Sequence, residues 1–244
     1  MMPSPDPVAA LVLGAGRGER LGLDIPKAFV PLAGRTLIER SIRALVASRE
    51  IGLIVPVLAA EDLGRWRDLG LESIDGVSEP VVGGAERQDS MQAGLASLPD
   101  RIEWVAVHDA ARCLVAPGDV RSVVGAAREC GAAILGEPAR DTIKRVLEGR
   151  ILETFDREAC WVAQTPQVIR RDWLAEAIAV AGREERMATD DAQWVEWTGH
   201  AVRIVESAQP NPKITRKEDL VIAEALLSRA MSVPEDGAAG RTGP

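Results

Sequence analysis

The first sharp feature of the chain is a continuous apolar run, Val8–Leu13. A run this short, with no polar alternation, predicts a parallel strand buried on both faces. A glycine-rich loop follows it. Thr36 and Glu39 then form a capping box ahead of residues whose apolar members, Leu37, Ile38, Ile42, Leu45 and Val46, recur with helical spacing together with Ser41. Residues 51–58 predict a second strand, 86–98 a helix, 104–108 a buried strand, 120–130 a helix and 132–135 a strand. Strand and helix alternating at this spacing predict an α/β fold, a doubly wound and mostly parallel sheet.

The rhythm breaks over residues 138–162. Two short extended pieces, 142–147 and 151–154, flank Glu148-Gly149-Arg150, a hairpin signal, so this segment is expected to project as a β-arm. Beyond it, 171–181 and 188–197 predict helices and 202–205 a strand, and Thr215 with Glu218 is expected to cap a last helix through Ala230. The organisation expected is one domain over residues 1–231, including the arm, with a Gly/Ala/Pro-rich tail at 232–244 that is expected to be disordered. No second enzyme is expected to be fused after the last helix.

Composition narrows the class. Of 244 residues, 46% are apolar, enough for a sizeable core. No apolar run approaches membrane-spanning length, and the short Pro-rich start lacks the basic region of a secretory signal, so a cytoplasmic location is expected. The net charge of −8 disfavours a nucleic-acid polymer as partner, although a local basic cluster can still attract a small anion. Cys113, Cys130 and Cys160 lack metal-ligand spacing, and with 2 histidines no zinc site is expected. The cysteines are read as reduced and buried.

The loop after the first strand runs Leu13-Gly14-Ala15-Gly16-Arg17-Gly18-Glu19-Arg20-Leu21, then Pro26-Lys27. Such glycines let backbone N–H groups approach a phosphate. It is not a dinucleotide fingerprint, because Glu19 stands where that motif needs its last glycine, and it lacks the Gly-Lys-Ser/Thr of a P-loop. Arg20 and Lys27 add the positive charge that a triphosphate under attack requires. Alone, the loop reads equally as a turn bearing solvated charges.

Four further segments change that balance: Gly83-Gly84-Ala85-Glu86-Arg87-Gln88-Asp89-Ser90; Val107-His108-Asp109-Ala110-Ala111-Arg112; Asp156-Arg157 with Gln164-Thr165-Pro166-Gln167; and Ala188-Thr189-Asp190-Asp191-Ala192 with Asn211-Pro212-Lys213-Ile214-Thr215. In this order and spacing the chain, from about Val8 to Leu227, resembles the 2-C-methyl-D-erythritol 4-phosphate cytidylyltransferases of non-mevalonate isoprenoid biosynthesis. The resemblance implies transfer of a cytidylyl group from CTP to that acceptor. It implies Arg20 and Lys27 as stabilisers of the transition state, and Arg157 and Lys213 as the residues that position the acceptor phosphate. Ala15, Gly16, Gly84, Ser90 and Asp109 would bind CTP; Asp109, Arg112, Thr142, Thr165 and Thr189 would contact the acceptor. A Mg²⁺ held mainly by triphosphate oxygens would assist, and the β-arm would join a homodimer in which Arg157 serves the neighbour's site.

Beside this stand the readings the residues give alone. His108 and Thr215 read as structural, Asp190 and Asp191 as capping or helix-dipole partners, and Trp161, Trp173, Trp194 and Trp197 as core or interface aromatics. Two positions depart from the family pattern, with Ala28 where Gln is usual and Ala85 where an acidic residue is common. A ribitol-5-phosphate cytidylyltransferase shares the loop and most motifs. A sugar 1-phosphate nucleotidyltransferase is opposed by the run His108 to Arg112. A nucleotide-binding regulator without catalysis is opposed by Arg20, Lys27, Arg157 and Lys213 occurring together.

Overall fold

The computed structural model describes residues 7–16, 18–84, 86–184 and 186–232. Arg17, Ala85 and the tail after residue 232 lie outside them, as does most of the N-terminal segment. The first βα unit runs from β1 (Val8–Leu13) through the two-residue pair β2 (Pro31–Leu32) and β3 (Arg35–Thr36) into α1 (Leu37–Ser48) and β4 (Ile51–Leu58). The Thr36 side chain accepts the Glu39 amide at 3.3 Å, so α1 starts where the sequence predicts. There follow α2 (Leu63–Leu69), β5 (Val81–Val82), α3 (Arg87–Ser97), β6 (Trp104–Asp109), α4 (Pro117–Cys130) and β7 (Ala132–Pro138). The arm is β8 (Lys144–Leu147) and β9 (Arg150–Thr154); the chain then returns through β10 (Trp161–Arg170), α5 (Arg171–Arg183), α6 (Asp191–Trp197), β11 (Arg203–Glu206) and α7 (Lys217–Ser232).

Seven strands form one sheet in the order β11-β7-β10-β6-β1-β4-β5. All pairs are parallel except those of β10, which runs antiparallel to β6 and β7. Alternate β1 residues face opposite layers. Val8, Ala10 and Val12 pack with Ile38, Ile42 and Leu45 of α1 and with α4; Ala9 and Leu11 pack with Met91 of α3 and with α5 and α6. A Cβ added at Gly94 would lie 3.0 Å from Leu11, so the missing side chain lets α3 seat closely on β1. A third cluster joins Leu21, Leu37, Cys113, Ile214 and Ala223, tying α7 to the loops around the sheet's carboxyl edge.

Several expectations are corrected. The arm expected over residues 138–162 is narrower: Pro138 closes β7, and Trp161 and Val162 pair with Pro138 and Glu137 at the start of the ten-residue β10. The helix expected from residue 188 starts at Asp191, with Asp190 as N-cap accepting the Gln193 amide at 3.0 Å. Thr215 and Glu218 do not form a capping box: Asp219 Oδ2 accepts the Thr215 hydroxyl at 2.8 Å and the Thr215 and Arg216 amides at 2.7 and 2.8 Å. An aspartate in the first turn of α7 thus supplies the acceptor that Thr215 was expected to provide. Of the free cysteines only Cys113 is buried; Cys130 and Cys160 are half-buried.

Candidate active site

The chain passes from β1 to β4 on one side and returns to β6 on the other, so the carboxyl ends of β1 and β6 border a switch point, where open α/β sheets place ligand clefts. Leu13 and Asp109 are level there. The cleft is lined by Ala15, Gly16 and Gly84, and by the side chains of Lys27, Ser90 and Lys213 among others. Gly18 has φ +69, and a Cβ there would lie 2.5 Å from that of Lys27, so only glycine lets the loop close against the lysine. Lys27 opens a short 3₁₀ turn whose next residues, Ala28 and Phe29, are core. The departure at position 28 is therefore an anchoring methyl beneath the loop. Burial pushes the Lys27 ammonium pKa down; the Lys213 and Arg20 charges add to this and Asp109 opposes it. Arg20 is thus electrostatically within reach of the cleft although exposed.

Asp109 is the hub. Its Oδ1 accepts Arg87 Nη1 at 2.7 Å and its Oδ2 meets Lys213 Nζ at 2.7 Å. Burial alone would raise this carboxyl's pKa, but Arg87 and Lys213 outweigh it and hold the group well below the usual carboxylate range. Arg87 also donates from Nη2 to Asp191 Oδ2 at 2.7 Å. The sequence segments had contained Arg87 and Asp191 without singling out this pair. Their convergence joins residues 104 positions apart, and no local pattern reports that.

Behind the hub, β10 contributes a polar layer. The Asp109 amide donates to Thr165 Oγ1 at 3.1 Å, and the same hydroxyl lies 3.1 Å from His108 Nδ1. Thr165, expected at the acceptor, is 4% exposed and already committed to holding Asp109. Arg112 donates to the Asn211 carbonyl at 2.8 Å and to the Ala163 carbonyl at 3.0 Å, so it ties the segment carrying Lys213 to β10. Buried Gln167 donates to Asp190 and accepts the Ala192 amide, fixing the start of α6 beside Thr189. Thr189 is exposed, its amide donating to Gln193.

Thr142 and Arg157 do not reach this cleft within one chain. Both are exposed on the arm, where Arg157 Nη1 lies 3.4 Å from the Arg140 carbonyl. The arm carries Val146, Leu147, Ile151, Leu152 and Phe155 exposed, and Val162 is exposed where β10 begins. Of the tryptophans, Trp194 is core, Trp173 stacks on His200 and Trp197 lies under the Arg186 guanidinium.

A family model described as IspD, 2-C-methyl-D-erythritol 4-phosphate cytidylyltransferase, matches residues 8–229. The chain is 42% identical over 225 residues to the 2-C-methyl-D-erythritol 4-phosphate cytidylyltransferase of Pelotomaculum thermopropionicum, covering 91% of this chain and 94% of that one. It is 35% identical to the chloroplastic enzyme of that name from Oryza sativa, over 91% of this chain and 74% of the relative. The crystal structure of 2-C-methyl-D-erythritol 4-phosphate cytidylyltransferase from Thermus thermophilus is similar with a TM-score of 0.74 at 36% identity, covering 91% of this chain and 99% of that chain. That of 4-diphosphocytidyl-2C-methyl-D-erythritol synthase from Anaerococcus prevotii gives 0.82 at 27% identity, over 93% and 100%.

Proposed function

The chain belongs to the 2-C-methyl-D-erythritol 4-phosphate cytidylyltransferase family, and we propose that the cleft at the ends of β1 and β6 is where it carries out the family's reaction. That reaction moves a cytidylyl group from CTP to 2-C-methyl-D-erythritol 4-phosphate, giving 4-diphosphocytidyl-2-C-methyl-D-erythritol and pyrophosphate for isoprenoid precursor synthesis. The observation that carries the assignment of place is the meeting of Lys27, Lys213 and Asp109 beneath a glycine-rich loop.

An acceptor phosphate oxygen attacks the α-phosphorus of CTP in line, and pyrophosphate leaves. Both reactants are anions, so the protein's first task is to offset repulsion. Arg20 and Lys27 face the α-phosphoryl group as its charge grows, each worth about 3–4 kcal/mol by analogy with oxyanion donors. Lys213 and a partner's arm, through Arg157, orient the attacking phosphate. Ala15, Gly16, Gly84 and Ser90 hold the nucleotide, Asp109 the ribose side, and Arg112, Thr142 and Thr189 the acceptor side, with Thr165 acting through Asp109. The acceptor phosphate is ionised near neutral pH and needs no general base.

Divalent cation chemistry fits the cleft only on the substrate side. Among the described residues the carboxylates lining it are Asp109 and Glu86, and both Asp109 oxygens are engaged by cations. Mg²⁺ is therefore read as arriving on the triphosphate, where it would neutralise charge. The apolar arm supports a homodimer, and the unbroken sheet supports a single domain. Among the described residues no helix is long and apolar enough to cross a membrane; a cytoplasmic location remains part of the proposal. The test is pyrophosphate release with four nucleoside triphosphates, against both 2-C-methyl-D-erythritol 4-phosphate and D-ribitol 5-phosphate. CTP with the former should be preferred at least tenfold in kcat/KM; a preference for ribitol phosphate would overturn the acceptor, and equal use of UTP the base.

A further inference from the structure

Four charges alternate in sign along a row that starts behind the cleft and ends in it: Asp191, Arg87, Asp109 and Lys213, joined by three contacts of 2.7 Å. They come from the first turn of α6, the first turn of α3, the end of β6 and the segment before α7. Asp191 is 0% exposed and does not line the cleft. Its Oδ2 accepts from Arg87, and its Oδ1 has no partner among the described residues, so Arg87 is the one hydrogen-bonding group that fixes this carboxylate. Arg87 in turn has each terminal nitrogen on a different acid. A guanidinium is a planar fork, so engaging one prong sets the direction of the other.

We propose that Asp191 is a positioning residue for the reaction, acting through Arg87 to set the Asp109 carboxylate and thereby to hold Lys213 in place. The proposal rests on the cytidylyl-transfer reading for its kinetic consequence, while its structural consequence stands without it. With Asp191 present, the Arg87 charge is divided between two carboxylates, and Asp109 keeps enough negative potential to hold Lys213. If Asp191 is neutral, Arg87 is satisfied by Asp109 alone and repels Lys213 across it. Lys213 then leaves its fixed position, and in-line alignment of the acceptor phosphate suffers. A buried ion pair is weak grounds for stability by itself, but the second prong of Arg87, on a carboxylate at the reacting centre, gives this pair a function.

The experiment compares full-length wild type, Asp191→Asn and Asp191→Glu by two readouts. The first is the rate at which Lys213 is acetylated by acetic anhydride, read residue by residue by mass spectrometry, with Lys217 as internal control. Lys213 should react at least threefold faster in Asp191→Asn, and Asp191→Glu should restore at least part of the protection. This readout needs no turnover, so it decides the proposal even if the wild type proves inactive with CTP and the acceptor. The second is kcat, which should fall at least tenfold in Asp191→Asn with KM for CTP within threefold. In an Asp109→Asn background the same change should add nothing, because the path runs through Asp109. If Asp191→Asn fails to fold, Arg87→Lys replaces it, since a single ammonium cannot bridge both acids; it should expose Lys213 equally. Unchanged Lys213 labelling in whichever variant folds, or losses in kcat that multiply across the double variant, would overturn the assignment.

Discussion

His108 sits one position before the hub carboxylate, wholly buried in β6. Burial drives its pKa down to about 4, with Arg112 adding to the shift and Asp109 opposing it. The Thr165 hydroxyl accepts the Asp109 amide and can give its own proton to Nδ1 of a neutral ring. The unfolded chain takes up this proton near pH 6.5 and the folded chain does not. The unfolded state therefore binds more protons between about 6.5 and 4, and stability falls as pH drops through that window, by about 3 kcal/mol for this one group. Urea unfolding from pH 7 to 4 should show the slope, and His108→Asn should flatten it; parallel curves for the two proteins would contradict the argument. Much at this scale was legible from the chain alone. An aspartate ending a buried strand stands out, and a lone histidine beside it reads as structural. Asp191 had an ordinary local explanation as a capping or dipole partner of α6, and Arg87 was one residue of a motif segment with no role of its own attached. Only the tertiary structure reveals that Arg87 bridges Asp191 to Asp109.

Among the elements, β10 was the least readable. Gln164, Thr165, Pro166 and Gln167 form a polar stretch with a proline, which argues against a central strand. The fold resolves this with a register shift between Ala163 and Gln167, so the proline falls where the ladder is already interrupted. Two of the buried polar side chains have partners nearby: Thr165 meets His108 and the Asp109 amide, and Gln167 meets α6, whereas the buried Gln164 Oε1 has none among the described residues. In contrast, β1, β4 and β6 were legible nearly to the residue, since strands buried on both faces must be apolar throughout. Gln167 gives this scale its prediction. Its amide donates to Asp190 at 3.0 Å and accepts the Ala192 amide at 2.8 Å, so it clamps the start of α6 and the adjoining Thr189. Gln167→Ala removes these two bonds and a longer one to the Gln164 carbonyl, and leaves the buried Ala192 amide unsatisfied, a cost of about 1–3 kcal/mol. Chemical denaturation should show that loss, and steady-state kinetics should show KM rising at least threefold more for the acceptor than for CTP. An equal rise for both substrates would detach Gln167 from the acceptor side.

At the scale of the whole molecule the arm poses the open problem. The hairpin was legible from Glu148-Gly149, and both residues adopt the positive φ that a tight two-residue turn demands. The resemblance implies a second subunit as the hairpin's partner, and every residue of β8 and β9 is exposed in the single chain. A two-stranded ribbon is marginal in water on its own. Exposed Val146, Leu147, Ile151 and Leu152 gain stability only against another surface, and a second copy related by a two-fold axis is the commonest such surface. Arg157 lies on this projecting segment and away from its own chain's cleft. If it completes the neighbour's site, two damaged proteins should repair each other. Lys27→Ala retains a good arm, and Arg157→Ala retains a good phosphate loop. Each heterodimer then holds one site with both residues intact and one with neither. Random reassortment makes roughly half of all dimers mixed, so roughly a quarter of sites should recover. The two variants, each nearly inactive, would be unfolded, refolded together and assayed for pyrophosphate release, with mixed dimers isolated through two different tags. Activity near half that of wild type in the isolated heterodimer would place Arg157 in the partner's site. Heterodimers no more active than either parent would return Arg157 to its own chain and leave the arm a purely structural clasp.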